Sequence, residues 1–204
     1  MKKFVIFFSL FNCFIFSSVA NDCLQHKTSP QVKIINTEWK QRVVQSEQPI
    51  DSLHGVVIAS FDEEYDLQVS AIPVKSGYCV VLNGLNATIG YTDFLINIDN
   101  SYNIDSCEYK IILEHEQEHI SAYLQAFDEE LENMKKSIQF ASNSIMPIFV
   151  PSLDGVSSAL DKMQQEFQSH PDVILMKQKL DAQQEILNKK VDQRDDGKRI
   201  NLCK

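Results

Sequence analysis

Leu113, Ile120, Phe127 and Met134 recur at every seventh position, and Leu124, Leu131 and Ile138 fill the turns between them. Residues at these spacings share one face of a 3.6-residue helix. The stripe predicts a helix over 107–141. An apolar seam of that length has to be covered by another layer, so it dictates how the rest of the chain is arranged. Ser106 stands where an N-cap is needed, with Glu108 in the first turn. Ser142-Asn143-Ser144 and then Pro147 end the helical pattern.

Upstream of the helix the chain reads as β. Val32-Lys33-Ile34-Ile35, Trp39 to Val44 and Gly55 to Ala59 are apolar or branched runs. Leu67, Val69 and Ala71 alternate with polar residues, as a half-exposed strand does. Tyr78 to Leu82 follows a Ser76-Gly77 turn. Asn83-Gly84 is a strong turn signal. Ala87 to Tyr91 and Phe94 to Ile98 then read as strands paired about Thr92-Asp93. The expectation is a mainly antiparallel sheet of about four to six strands, packed against the long helix in an α+β arrangement. Downstream, Val156, Leu160, Met163 and Phe167 mark a second helix. Pro171 opens a third, with Val173, Met176, Leu180, Leu187 and Val191 as its stripe. This pair predicts a C-terminal helical hairpin, and the charged run from Asp192 to Asp196 reads as a solvated tail.

The first twenty residues carry an address. Lys2 and Lys3 precede an apolar run from Phe4 to Phe16, and Ser18-Val19-Ala20 has the small-x-small form of a cleavage site. The organisation expected is a signal peptide over 1–20, an α+β core over 21–145, and a helical hairpin with its tail over 146–204. The expectation is a secreted or periplasmic chain, with no membrane span after cleavage. Its net charge of -9 becomes -11 when Lys2 and Lys3 leave. That balance excludes a nucleic-acid partner, which calls for a basic face. Four cysteines remain in the mature chain: Cys23, Cys79, Cys107 and Cys203. An even number in an exported protein points to disulfides, and three pairings are open. The reading favours Cys79 with Cys107, pinning a strand to the start of the helix, and Cys23 with Cys203, joining the termini.

Within the long helix lies Glu114-His115-Glu116-Gln117-Glu118-His119, which contains His-Glu-x-x-His. One turn apart, His115 and His119 can offer two imidazole nitrogens to one metal ion, with Glu116 beside them as general base. At 100° per residue the histidines lie about 100–140° from Ile120, and Glu116 only about 40° from it, nearly inward. A carboxyl aimed there needs a partner. The same residues also fit the inverted His-x-x-Glu-His pattern, with Glu118 as the acid.

A signal peptide, a β-rich half and this motif together resemble zinc-dependent metallopeptidases of the zincin type. The chain is also similar to a group of uncharacterised secreted bacterial proteins described as zinc proteases, over roughly Gly77 to Tyr123: the Tyr78-Cys79 strand, the Gly90-Tyr91 strand end and Ser106-Cys107-Glu108-Tyr109. The resemblance implies Zn2+ held by His115 and His119, Glu116 as general base, and a peptide or protein substrate. It also implies an edge strand above the metal helix, from Gly55 to Ser60 or Phe94 to Ile98, to which an extended peptide adds itself. A catalytic zinc takes three protein ligands. Ser121, Ala122 and Tyr123 follow the motif where a metzincin continues toward a third histidine. Glu166, Asp154, His54 and His170 are therefore the candidates for the third ligand. The competing expectation is a non-catalytic envelope or secreted protein that docks a partner on its helices. An exported inhibitor or immunity-type protein is a third class. No nucleophile elbow or phosphate loop is present to suggest other chemistry.

Overall fold

The computed structural model describes residues 22–48, 50, 54–195 and 199–203. The segment read as a signal peptide lies outside them. Strands β1 (Gln31–Asn36), β2 (Lys40–Gln45), β3 (Gly55–Val74) and β4 (Gly77–Ile98) precede helix α1 (Cys107–Ser144). Strand β5 (Ile148–Val150), a short 3-10 turn, and helices α2 (Val156–Gln168) and α3 (Pro171–Asp195) follow. A second 3-10 turn, Arg199–Cys203, closes the described chain.

The sheet is mixed, which overturns the expectation of a mainly antiparallel one. β3 and β4 form a long antiparallel hairpin from Gly55↔Ile98 to Val74↔Gly77. On the far edge of β4, β1 and β2 both run parallel to it, from Gln31↔Gly84 to Asn36↔Ile89 and from Lys40↔Asp93 to Gln45↔Ile98. β5 adds a short antiparallel pairing at Tyr78–Val80. The pairs Gln31↔Gly84 and Lys40↔Asp93 have the same offset, so β1 and β2 behave as one interrupted strand.

The physical reason lies in β4. Its residues Val80, Val81, Leu82, Leu85, Ala87 and Ile89 are all buried, the near-continuous apolar pattern of a central strand. It therefore takes partners on both edges, and β1 and β2 skip β3 to reach it. The turns predicted at Asn83-Gly84 and Thr92-Asp93 are instead β-bulges. Gln68 faces Gly84 while Val69 faces Leu82, and Ser60 faces Asp93 while Phe61 faces Tyr91, leaving Asn83 and Thr92 as the extra residues. The predicted short strands thus fuse into strands of 20 and 22 residues. Where β1 gives way to β2, Thr37 donates from its hydroxyl to the Tyr91 carbonyl at 2.7 Å. Gly90 sits beneath it at φ +148, and a Cβ there would lie 2.4 Å from Thr37 Oγ1.

α1 starts at the Ser106 cap, whose hydroxyl accepts from Tyr109 N, and buries Ile112, Ile120, Phe127, Met134 and Ile138. Leu113, Leu124 and Leu131 are only partly buried and pack at the border of the same core. α3 runs antiparallel along α1: Gln183 meets Glu129, Asn188 meets His119 and Arg194 meets Glu118. Its stripe, Val173, Met176, Leu180, Leu187 and Val191, joins one continuous core with the sheet and α2. The C-terminal helices therefore do not form a separate hairpin; α3 covers the α1 seam.

The disulfides differ from the favoured pairing. Cys23 is bonded to Cys79 and Cys107 to Cys203. Because α3 returns along α1, it brings Cys203 to the first residue of α1, and Cys107 is then taken. Among the described residues no helix is long and apolar enough to cross a membrane.

Candidate metal centre

α1 carries His115 and His119 one turn apart, and α3 brings a third donor against them. That donor is Asp192. His119 Nε2 lies 3.1 Å from His115 Nε2 and 3.1 Å from Asp192 Oδ1, and His115 Nε2 lies 3.7 Å from the same oxygen. Ligand bonds of about 2.0–2.1 Å to a tetrahedral zinc imply donor–donor edges of about 3.3–3.4 Å. The three observed edges bracket that value, and two imidazoles with one carboxylate are a donor set suited to zinc. The residues present therefore fit the ion.

The orientation of His119 is fixed from behind. Its Nδ1 lies 2.7 Å from Asn188 Oδ1. The Asn188 amide nitrogen is spent donating to the Gln184 carbonyl at 2.9 Å. The amide oxygen thus faces the ring and accepts, so Nδ1 holds the proton and Nε2 turns its lone pair into the cluster.

Glu116 lies inward of the histidines and is 4% exposed. Burial pushes its carboxyl up to about 7; Asp192 adds to this and His119 opposes it. Gly55, the first residue of β3, rests on it, with a Cβ position only 2.8 Å from Glu116 Oε1. Together with Val57, Tyr123, Asn188 and Asp192 these residues line a cleft of about 240 Å³. Burial also raises the Tyr123 hydroxyl above its ordinary range.

Glu118, the acid of the inverted pattern, points elsewhere. It accepts from Arg199 at 2.7 Å and Arg194 at 3.0 Å, and so holds the C-terminal segment against α1. The four predicted third ligands are not part of the cluster. His54 Nδ1 is 2.6 Å from the Tyr102 hydroxyl. His170 faces Asp172 at 3.4 Å. Glu166 is exposed on α2, and Asp154 is exposed in the first 3-10 turn. Asp192 had been read as part of a solvated tail. A signal for it was present in the sequence: Asn188 and Asp192 are one turn apart and each directly follows a stripe residue, Leu187 and Val191, which puts both at the border of the buried seam.

Compared with protein-family models, with curated proteins and with solved structures, the chain gives no match. The chemistry of the cleft is thus the basis for a functional reading.

Proposed function

We propose that this chain is a zincin-like, zinc-dependent hydrolase of peptide bonds, exported to an extracellular or periplasmic space. The observation that carries the reading is the convergence of His115 Nε2, His119 Nε2 and Asp192 Oδ1, 3.1–3.7 Å apart, beside a buried carboxyl in an open cleft. Export is supported by the two disulfides and by the signal-like pattern of residues 1–20.

Zinc held there would act as a Lewis acid, polarising a carbonyl and lowering the pKa of a water. The remaining steps belong to the protein. Glu116, inward of the histidines and held ionised by the nearby cation, accepts a proton from the attacking water and returns it to the leaving amine. Asn188 keeps His119 in the tautomer that ligates. β3 pairs only with β4 among the described residues, so its outer edge is open from Gly55 onward. An extended peptide adding to that edge would lie across the cleft with its backbone hydrogen-bonded to the strand.

The test is metal analysis after dialysis against a chelator and reloading, on the mature wild type and on His119→Ala, with a casein-type substrate assayed in parallel. One zinc per chain in the wild type, its loss in the variant, and zinc-dependent cleavage are expected. Equal zinc in both proteins would rule out the site. Zinc held without cleavage would make it a structural metal.

A further inference from the structure

A second cavity of about 400 Å³ opens beside the metal cleft, and Tyr123 lines both. Both lie between β3 and α3. β3 forms one wall, with Gly55 and Val57 at the metal end and Ala59, Phe61 and Glu63 at the other. α3 forms the opposite wall in the reverse direction: Asp192 and Asn188 at the metal, then Gln184, Asp181 and Lys177. These five α3 residues, spaced three or four apart, make one polar face along the helix.

The second cavity has a specific chemistry. Its inner wall is apolar, from Ala59, Phe61, Met134 and Leu180. Tyr91 is buried and meets the half-buried Tyr123 edge to face, with centroids 5.8 Å apart, and the Tyr91 hydroxyl accepts from Gln184 Nε2 at 2.5 Å. Of its three charged groups, Lys177 and Glu63 are paired with each other. Asp181 is exposed at the rim and has no ion-pair partner among the described residues; the Tyr91 hydroxyl is raised chiefly by burial, with Tyr123 and then Asp181 adding to it. The cavity therefore offers an apolar wall, the half-buried Tyr123 ring and one carboxylate without an ion-pair partner among the described residues.

We propose that this cavity is a specificity pocket for a long cationic side chain, lysine or arginine, of the peptide lying in the groove. The aliphatic stem packs on Ala59, Phe61 and Leu180. The cation passes the Tyr123 ring and is neutralised by Asp181 at the rim. The inference rests on the peptide-hydrolase reading and names its substrate class.

The test separates binding from cleavage. Dye-labelled extended peptides, identical except for Lys, Arg, Leu or Glu at one central position, are titrated by fluorescence anisotropy into the zinc-loaded mature protein carrying Glu116→Gln. Lys and Arg peptides should bind about tenfold more tightly than Leu, with Glu weakest. Adding Asp181→Asn should remove the Lys/Arg advantage and leave Leu binding unchanged. Asp154→Asn, which removes an equal charge elsewhere, should leave all four unchanged. No Lys/Arg preference, or equal weakening by Asp154→Asn, overturns the pocket. If the wild type cleaves casein but shows no such preference, the pocket fails alone. If binding is selective but nothing is cleaved, the hydrolase reading fails and the pocket stands.

Discussion

Asn188 accepts a hydrogen bond from Nδ1 of His119 at 2.7 Å while its own amide nitrogen is held by the Gln184 carbonyl. One side chain on α3 thereby decides which nitrogen of a ring on α1 is free to ligate. Outer partners of this kind typically contribute 10–100-fold to metal affinity. Asn188→Ala is expected to weaken zinc binding by about that factor, measured by competition with a chromophoric chelator, with the far-UV circular dichroism unchanged. Asn188→Asp, which still accepts from Nδ1, should retain most of the affinity. Unchanged affinity in the alanine variant would show that the ring needs no such support.

The position of Asp192, the proposed third ligand, depends on a distant crosslink. Asp192 stands near the end of α3, and the chain beyond it is tied to α1 by Cys107–Cys203 and by Arg194 and Arg199 on Glu118. The bond spans a sequence separation of 96, and in the chain-entropy account closing a loop of this size stabilises by about 4.7 kcal/mol. Cys107→Ser with Cys203→Ser should lower the unfolding free energy by about 2–4 kcal/mol. It should also weaken zinc binding beyond what Cys23→Ser with Cys79→Ser does. Chelator competition on both pairs at a temperature where each remains folded checks this. Equal effects would mean that the tether does not position Asp192.

The parts of this molecule legible in its sequence are those set by local periodicity. The seam of α1, its Ser106 cap and the placement of His115 and His119 beside Glu116 all follow from 3.6-residue spacing within one element. The parts not legible depend on partners far along the chain. Asn83 and Thr92 carry turn chemistry, yet a bulge uses the same residue types, and only the opposing strand distinguishes the two. β1 and β2 have no local mark that sends them past β3 to the apolar edge of β4. The cysteine pairing and the placement of Asp192 beside His119 both follow from the antiparallel return of α3 along α1, which the α3 stripe allows but does not specify.

The buried Glu116 makes the metal-free protein sensitive to pH. Its carboxyl is raised from 4.5 to about 7, chiefly by burial. Below about pH 4.5 it is protonated in both folded and unfolded chains and has no effect on stability. Between 4.5 and 7 the unfolded chain ionises while the folded one holds its proton, so stability falls as pH rises, and above 7 the full cost is present. At about 1.4 kcal/mol per pH unit the cost reaches about 3.5 kcal/mol. In a chelating buffer, urea midpoints of wild type and Glu116→Gln should coincide near pH 4.5 and separate with rising pH, the glutamine variant being the more stable at pH 8. Zinc should narrow the gap, because a nearby dication favours the ionised carboxyl. Parallel midpoints from pH 4.5 to 8 would contradict the burial account.

Gly55 and Glu116 bring the same issue down to one missing methyl group. A Cβ on Gly55 would lie 2.8 Å from Glu116 Oε1, 2.9 Å from Ile112 Cγ2 and 3.0 Å from Glu116 Cγ. Contacts that short force a shift: Ile112 is locked in the core, so the Glu116 carboxyl, at the free end of its side chain and lining the cleft, or the backbone of β3 must move. Gly55→Ala should therefore displace the carboxyl of Glu116 or lift the start of β3 from α1. An overpacking cost of about 1–3 kcal/mol in stability is expected. His115, His119 and Asp192 lie outside these clashes, so zinc affinity should change by less than about threefold. Hydrolysis should fall by about 10²-fold, because a general base moved by a fraction of an ångström loses its alignment with the attacking water. A variant that keeps full activity would show that the carboxyl is not the base; a variant that loses its zinc would place Gly55 in support of the ligands rather than of Glu116.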